Sequence, residues 1–161
     1  MERAKKDGEA ESLILTGGRR HVVSCKALVR DQDDNIVVLR RSSTHPRSAH
    51  KPDVPGGIID VGEQINQGLA REILEETGLL VDPSQLRLLY AFVDDSHEGV
   101  IIVRLLFTVT VEDVKPPVQL SSEHDKAEWL RFDAVREKLT NKTHVEALAY
   151  VAEHGLLDTS P

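Results

Sequence analysis

Residues 57–79 constrain the fold of this 161-residue chain more than any other segment. Apolar residues recur at helical spacing over 64–77, so the pattern predicts an amphipathic helix there. Gly78 is well placed to end that helix, and Pro83 prevents its continuation. The sequence therefore predicts one short helix whose two ends are both defined.

The same segment carries four glutamates and one arginine: Glu63, Arg71, Glu72, Glu75 and Glu76. At about 100° per residue, the last three glutamates fall within an arc of about 100° on the helix. The apolar residues centre about 105° from Glu72, so this arc lies at the edge of the buried face. Because carboxylates that close repel one another, the pattern indicates a site for a hard cation. A solvated helix with an Arg71–Glu75 ion pair is the alternative interpretation.

The rest of the chain alternates between strand and helix patterns. Strands are predicted at 21–30, 36–41, 86–93, 100–111 and about 127–132, and a last helix at about 143–154. Residues 42–54 form a long polar loop in this interpretation, and residues 94–99 form a turn. We expect an α/β fold in which helices cover both faces of a mixed sheet. Residues 1–16 are expected to be a flexible tail, and residues 17–161 one domain.

Composition restricts the partners of the chain. The net charge of −7 and the lack of a basic, aromatic stripe argue against binding nucleic-acid polymers. Cys25 is the only cysteine and is expected to be buried, which favours a reduced, cytoplasmic environment. The N-terminus lacks the pattern of a signal peptide, and no segment approaches transmembrane length, so no membrane partner is expected.

Residues 57–79 resemble the Nudix box, G-x5-E-x7-R-E-U-x-E-E-x-G-U, in which U is an aliphatic residue. Every specified position is met, by Gly57, Glu63, Arg71, Glu72, Ile73, Glu75, Glu76, Gly78 and Leu79. Pro55-Gly56 before the box, and Glu123 and Trp129 after it, also resemble the family. The resemblance implies an α/β/α sandwich that hydrolyses a phosphoanhydride bond.

The resemblance also implies a metal centre. Its ligands would be three helix glutamates and one backbone carbonyl: Glu72, Glu75, Glu76 and Gly56. Arg71 and Glu63 would orient these carboxylates from behind. Ligands that are all oxygen suit Mg²⁺, or Mn²⁺, better than Zn²⁺.

The remaining chemistry requires a base and cationic groups for the phosphates. By resemblance the base is Glu72 or a glutamate of the later loop, where Glu123 is preferred to three competitors: His124, Asp125 and Glu128. Three arginines near the box are candidates to bind phosphate: Arg40, Arg41 and Arg47. We expect these groups to act on a small nucleotide.

Several substrates remain open. A nucleoside triphosphate, normal or oxidised, is expected first because the chain carries little beyond a minimal domain. ADP-ribose or a nucleotide sugar is the alternative. A coenzyme A hydrolase should show a further motif before the box, from which Lys51 and Val54 depart. A non-catalytic nucleotide sensor should show a degenerate box. The oligomeric state is open, with a homodimer as one option.

Overall fold

Six strands assemble into one sheet in the computed structural model, which describes residues 18–158. Their bounds are Arg20–Arg30 (β1), Ile36–Arg41 (β2), Pro52–Asp53 (β3), Arg87–His97 (β4), Val100–Thr110 (β5) and His124–Leu130 (β6). The strand order is β3-β2-β1-β5-β4, and β6 pairs with β2. Strand β1 runs parallel to β5 along its whole length, whereas the other pairs are antiparallel. The expected mixed sheet is confirmed.

Three α-helices flank this sheet: Ile65–Thr77 (α1), Phe132–Lys138 (α2) and Lys142–Glu153 (α3). Helix α1 ends as predicted at Gly78, which has a φ of 71° and donates its N–H to the Leu74 carbonyl. Helix α3 begins after Asn141, whose side chain accepts the His144 N–H at 2.9 Å. Side-chain capping of this kind fixes where a helix starts.

The alternation of side chains along the strands produces two cores. Ala27 and Val29 pack with Leu69 and Ile73 of α1 on one face of the sheet. Leu28, between them in sequence, packs on the opposite face with residues of α2 and α3, including Val135 and Leu148. The strand period of two residues thus places helices on both faces, and the expected α/β/α arrangement is confirmed.

The structure differs from the sequence-based expectations at several places, including β6, which spans His124–Leu130 and not about 127–132. Strand β4 continues to His97, through residues predicted as a turn, because the Asp94 carboxylate is held by Arg104 of β5 at 2.7 Å. Residues 42–54 include the two-residue strand β3. Helix α2 was not predicted, since its seven residues bury only Val135 and therefore carry little helical periodicity.

The predicted tail, residues 1–16, lies outside the described residues, and the boundaries of the single domain stay a prediction. Cys25 is fully buried, and burial raises the pKa of its thiol to about 11. Over residues 18–158, no helix has the length and apolar character needed to cross a bilayer.

Candidate active site

A glycine turn packed against β1 forms the centre of the site. Cys25 donates its N–H to the Gly57 carbonyl, and Ala27 donates to the Pro55 carbonyl, both at 2.9 Å. Gly56 has a φ of 131°, and a Cβ at this position would lie 2.1 Å from the Cys25 carbonyl oxygen. Only glycine fits so close to another backbone, so the approach of the turn to β1 requires Gly56.

Two glutamates of α1 meet this turn. Glu76 Oε2 accepts the Gly56 N–H at 2.8 Å. The Glu72 carboxylate lies over Gly57, where an added Cβ would be 2.7 Å from Glu72 Oε2. Because they are four residues apart, the two side chains leave the helix on one side. The turn therefore gathers two carboxylates beside the Gly56 carbonyl.

Glu76 is an unusual carboxylate because only 7% of the residue is exposed. Burial raises the pKa of Glu76 to about 7, since the Lys26 charge and the Gly56 N–H counter the loss of solvation only in part. The neighbouring charges of Asp53 and Glu72 raise that pKa further. A buried carboxylate in such surroundings is stabilised when a cation approaches it.

Arg71 binds three carboxylates, those of Glu63 just before α1 and of Glu72 and Glu75 on the helix. Its Nε donates to Glu63 Oε1 at 2.9 Å, and its Nη1 donates to Glu72 Oε1 at 2.8 Å and to Glu75 Oε2 at 3.2 Å. The hydrogen bonds to Glu63 and Glu72 raise the pKa of Arg71 above its usual range. Gly68 makes room for this arrangement, because a Cβ there would lie 2.6 Å from Glu63 Oε2.

Glu75 stands apart from the turn. Its side chain is 57% exposed and contacts Arg71, not Gly56. Among residues 18–158, no three acidic, histidine or cysteine side chains converge into a ready-made metal site. The donors at the turn are two carboxylates and a carbonyl, all oxygen, a set that fits Mg²⁺ or Mn²⁺.

A cleft of about 390 Å³ lies between the sheet and the start of α3, and Lys26, which donates to the Gly56 carbonyl, lines it. Five lysines and arginines line it: Lys26, Arg41, Arg47, Arg104 and Lys142. Only two carboxylates, Asp53 and Asp94, oppose them. The cleft is thus positive although the whole chain carries a net charge of −7. Phe92, Leu105 and Leu106 add apolar surface to its wall.

Asp53 connects the cleft to the turn. It is 1% exposed and accepts hydrogen bonds from Lys26 Nζ at 2.9 Å and Arg41 Nε at 3.0 Å, while His144 Nε2 lies 3.3 Å away. Burial alone would raise the pKa of Asp53, but Lys26, His144 and Arg41 outweigh it and hold that pKa well below its usual range. Asp53 therefore stays ionised and fixes the positions of Lys26, Arg41 and His144.

The three candidate arginines do not lie together. Arg41 and Arg47 line the cleft. Arg40 points to the other side of β2, because side chains alternate along a strand, and it pairs with Asp125 at 2.6 Å. The structure therefore does not bring Arg40 to the site.

The loop that carries Glu123 approaches the end of α1. Ser121 donates its N–H to the Glu76 carbonyl at 3.4 Å, and Ser42 donates to the Glu123 carbonyl at 2.8 Å. The Glu123 side chain is exposed, whereas the adjacent His124 is 6% exposed and its Nδ1 lacks a partner among the described residues. Burial lowers the pKa of the His124 imidazole.

Sequence reasoning missed Lys26, Asp53 and His144. Lys26 had a signal: it is the one charged residue in an otherwise apolar run, His21 to Val29. Asp53 had a weaker one, as a carboxylate two residues before Pro55-Gly56. His144 had none, because only the packing of α3 on the sheet brings it to Asp53.

A glutamate-bearing helix, a glycine turn and a cationic cleft within an α/β/α sandwich define a domain suited to hydrolysing phosphate anhydrides. The sequence model of the NUDIX domain matches residues 19–151, and the chain belongs to this family. It is a hydrolase of the class that acts on acid anhydrides in phosphorus-containing compounds. Hydrolases of this family generally use divalent metal ions, and NUDIX domains bind small nucleotide-type substrates.

Three relatives illustrate the similarity. A MutT-like protein of Streptomyces ambofaciens is 30% identical over 122 residues, 74% of this chain and 70% of that protein. The uncharacterized Nudix hydrolase YvcI of Bacillus subtilis (strain 168) is 26% identical over 68% of this chain and 65% of its own length. The NUDIX domain of NrtR from Shewanella oneidensis, solved with ADP ribose, superimposes with a TM-score of 0.67. The match covers 91% of this chain and 97% of the NrtR domain. Because the two sequences are 18% identical, it shows a common fold.

The burial of Glu76 predicts how stability depends on pH when metal is removed. The pKa of Glu76 is about 7 in the folded chain, against an ordinary value of 4.5, so the folded state holds a proton that the unfolded state releases. Stability should fall as pH rises from 4.5 to 7, by on the order of 3 kcal/mol. Glu76→Gln should remove most of this slope, as measured by denaturant unfolding in EDTA. The exposed Glu75→Gln should keep it; equal slopes in wild type and Glu76→Gln would contradict the assignment.

Proposed function

We propose that the protein is a Mg²⁺-dependent pyrophosphohydrolase that converts a nucleoside triphosphate, normal or oxidised, to the monophosphate and pyrophosphate. The observation that carries this proposal is the positive cleft lined by Lys26, whose ammonium also bonds the carbonyl of the glycine turn. Its lysines and arginines suit the phosphate chain, and its apolar wall, with Phe92, suits a base. Such a cleft fits one small polyanion.

Glu72, Glu76 and the Gly56 carbonyl are the groups that would hold the metal. Glu75 would join them after leaving Arg71. In this structure Glu75 Oε2 lies 3.2 Å from Arg71 Nη1, and the Glu75 side chain is exposed to solvent. When bound, the metal neutralises phosphoryl oxygens and makes water easier to deprotonate. Arg71 and Glu63 keep Glu72 in place, because Arg71 bonds both carboxylates at 2.8–2.9 Å.

The proton of the attacking water would pass to a glutamate, Glu72 or Glu123. Glu72 lies at the turn but already accepts a hydrogen bond from Arg71. Glu123 is exposed on a loop whose backbone is tied to Ser42 and, through Ser121, to Glu76. We favour Glu123, since an exposed carboxylate can reach a water without first releasing a partner.

ADP-ribose or a nucleotide sugar is the second candidate substrate. The specific observation is that Arg104, Lys142 and Asn141 also line the cleft, on β5 and at the start of α3. Donors at these places suit the hydroxyls of a second sugar as well as they suit a triphosphate. The choice between the two candidates is a question for experiment.

A nucleotide panel tests the proposal. Wild-type protein with Mg²⁺ should release pyrophosphate from at least one nucleoside triphosphate, and Glu76→Gln, prepared in parallel, should be slower by several orders of magnitude. Pyrophosphate and inorganic phosphate are measured separately. Faster cleavage of ADP-ribose or a nucleotide sugar than of every triphosphate would establish the second candidate. Nucleotide binding without turnover would instead indicate a sensor.

The cleft arginines should act mainly on substrate affinity. Arg47→Ala should lower kcat/KM by about 10- to 150-fold, chiefly through KM, because it removes charged hydrogen bonds worth about 1.5–3 kcal/mol, and adding Arg41→Ala should lower kcat/KM further. Arg40→Ala is the matched control and should leave both constants unchanged, since Arg40 faces Asp125. Melting temperatures accompany the kinetics because Arg41 also neutralises Asp53. An unchanged kcat/KM in the double variant would remove this part of the cleft from the site.

Glu123 should act on turnover and not on affinity. If it accepts the proton, Glu123→Gln should lower kcat by about 100-fold or more with little change in KM. The loss should not be repaired by raising the substrate concentration. Glu128→Gln, at the other glutamate of this region, is the control. A full kcat in Glu123→Gln would leave Glu72 as the base.

A further inference from the structure

Lys26 occupies a position that the sequence pattern alone does not explain. Its Nζ donates to the Gly56 carbonyl at 2.7 Å and to Asp53 Oδ2 at 2.9 Å. Its side chain is 19% exposed and borders the cleft. The Lys26 charge also acts on Glu76, which accepts the Gly56 N–H. A single ammonium group thus lies among the oxygens to which we assign the metal.

A metal ion and the Lys26 ammonium would repel each other if both contacted the Gly56 carbonyl. The Gly56 carbonyl is one of the proposed metal ligands, and the ammonium already lies in hydrogen-bonding contact with its oxygen. A divalent ion on the same oxygen would face the lysine charge at short range in a partly buried site, where screening by water is weak. Metal and ammonium therefore compete for the Gly56 carbonyl.

Asp53 keeps the displaced ammonium nearby. It is buried, it bonds Lys26 independently of Gly56, and it also holds Arg41. A lysine has four flexible side-chain bonds, so its ammonium can leave Gly56 without leaving Asp53. The direction that remains open to it is the cleft it borders, next to Arg41.

We propose that Lys26 is a tethered cation that occupies the Gly56 carbonyl in the absence of metal and moves into the cleft, beside Arg41, when the metal binds. This inference rests on the proposed metal site and adds that a lysine of the chain competes with the metal for that site. Metal affinity is held down by an internal competitor, and metal binding adds a positive charge to the part of the cleft that receives phosphate. Lys26 is thereby a positioning residue that links the two parts of the site.

The experiment measures Mn²⁺ binding without nucleotide, by electron paramagnetic resonance or calorimetry. Lys26→Met should bind Mn²⁺ about tenfold more tightly than wild type, because the competitor is gone. Lys142→Met makes the same charge change in the same cleft without touching Gly56, and should shift the affinity by less than about twofold. Unchanged or weaker binding in a folded Lys26→Met would overturn the proposal and show that the lysine supports the carbonyl for the metal.

A second measurement uses the unaltered protein and so does not depend on a variant that folds. With ¹⁵N-labelled lysine, the Lys26 ammonium resonance, assigned by its nuclear Overhauser contact with Gly56, should shift as Mg²⁺ is added. A resonance that stays constant while Mg²⁺ binds would overturn the exchange. Glu76→Gln separates the two levels of the argument: if it binds Mn²⁺ as wild type does, the metal site and the Lys26 proposal both fail. If Glu76→Gln weakens Mn²⁺ binding but Lys26→Met does not strengthen it, the metal site is supported and the Lys26 proposal fails.

Discussion

The packing of the Pro55-Gly56-Gly57 turn against β1 is the contact on which the rest of the site depends. It brings the Gly56 carbonyl to Lys26 of that strand, and the Gly56 N–H to Glu76 of the helix that also carries Glu72. The approach is possible because Gly56 lacks a Cβ, which would otherwise meet the Cys25 carbonyl at 2.1 Å. A substituted turn would have to move away from β1, and the spacing of its ligands would be lost with it.

The cleft of this protein is positively charged, although the chain as a whole is negative. A chain with a net charge of −7 repels polyanions at long range, yet its cleft presents more cations than carboxylates. Buried Asp53 and Asp94 make this possible, since each is already bonded to arginine and each has a pKa held low by its partners despite burial. These carboxylates fix the positions of Lys26, Arg41 and Arg104 at the cleft.

Much of this architecture could be predicted from sequence because its signals are local. Helix α1 follows from its periodicity and from Gly78, and the two-faced sheet follows from the alternation around Ala27, Leu28 and Val29. The sequence also predicted that three glutamates of α1 lie close together on the helix. It did not predict that Glu72 and Glu76 would face the turn while Glu75 contacts Arg71. The Glu63 carboxylate fills the space beside Gly68, another contact that the periodicity of the helix does not specify.

The contacts that could not be predicted are those that join distant segments. Asp53 meets Lys26, Arg41 and His144 from three different elements, and no spacing along the chain records that meeting. Two cations of the site, Arg71 and Lys26, bind separate carboxylates. Arg71 pairs with Glu63 and Glu72, and Lys26 pairs with Asp53 and bonds the turn. Because these carboxylates and the turn carbonyl already contact cations, a metal that binds there would exchange contacts, taking Glu75 from Arg71 and the Gly56 carbonyl from Lys26.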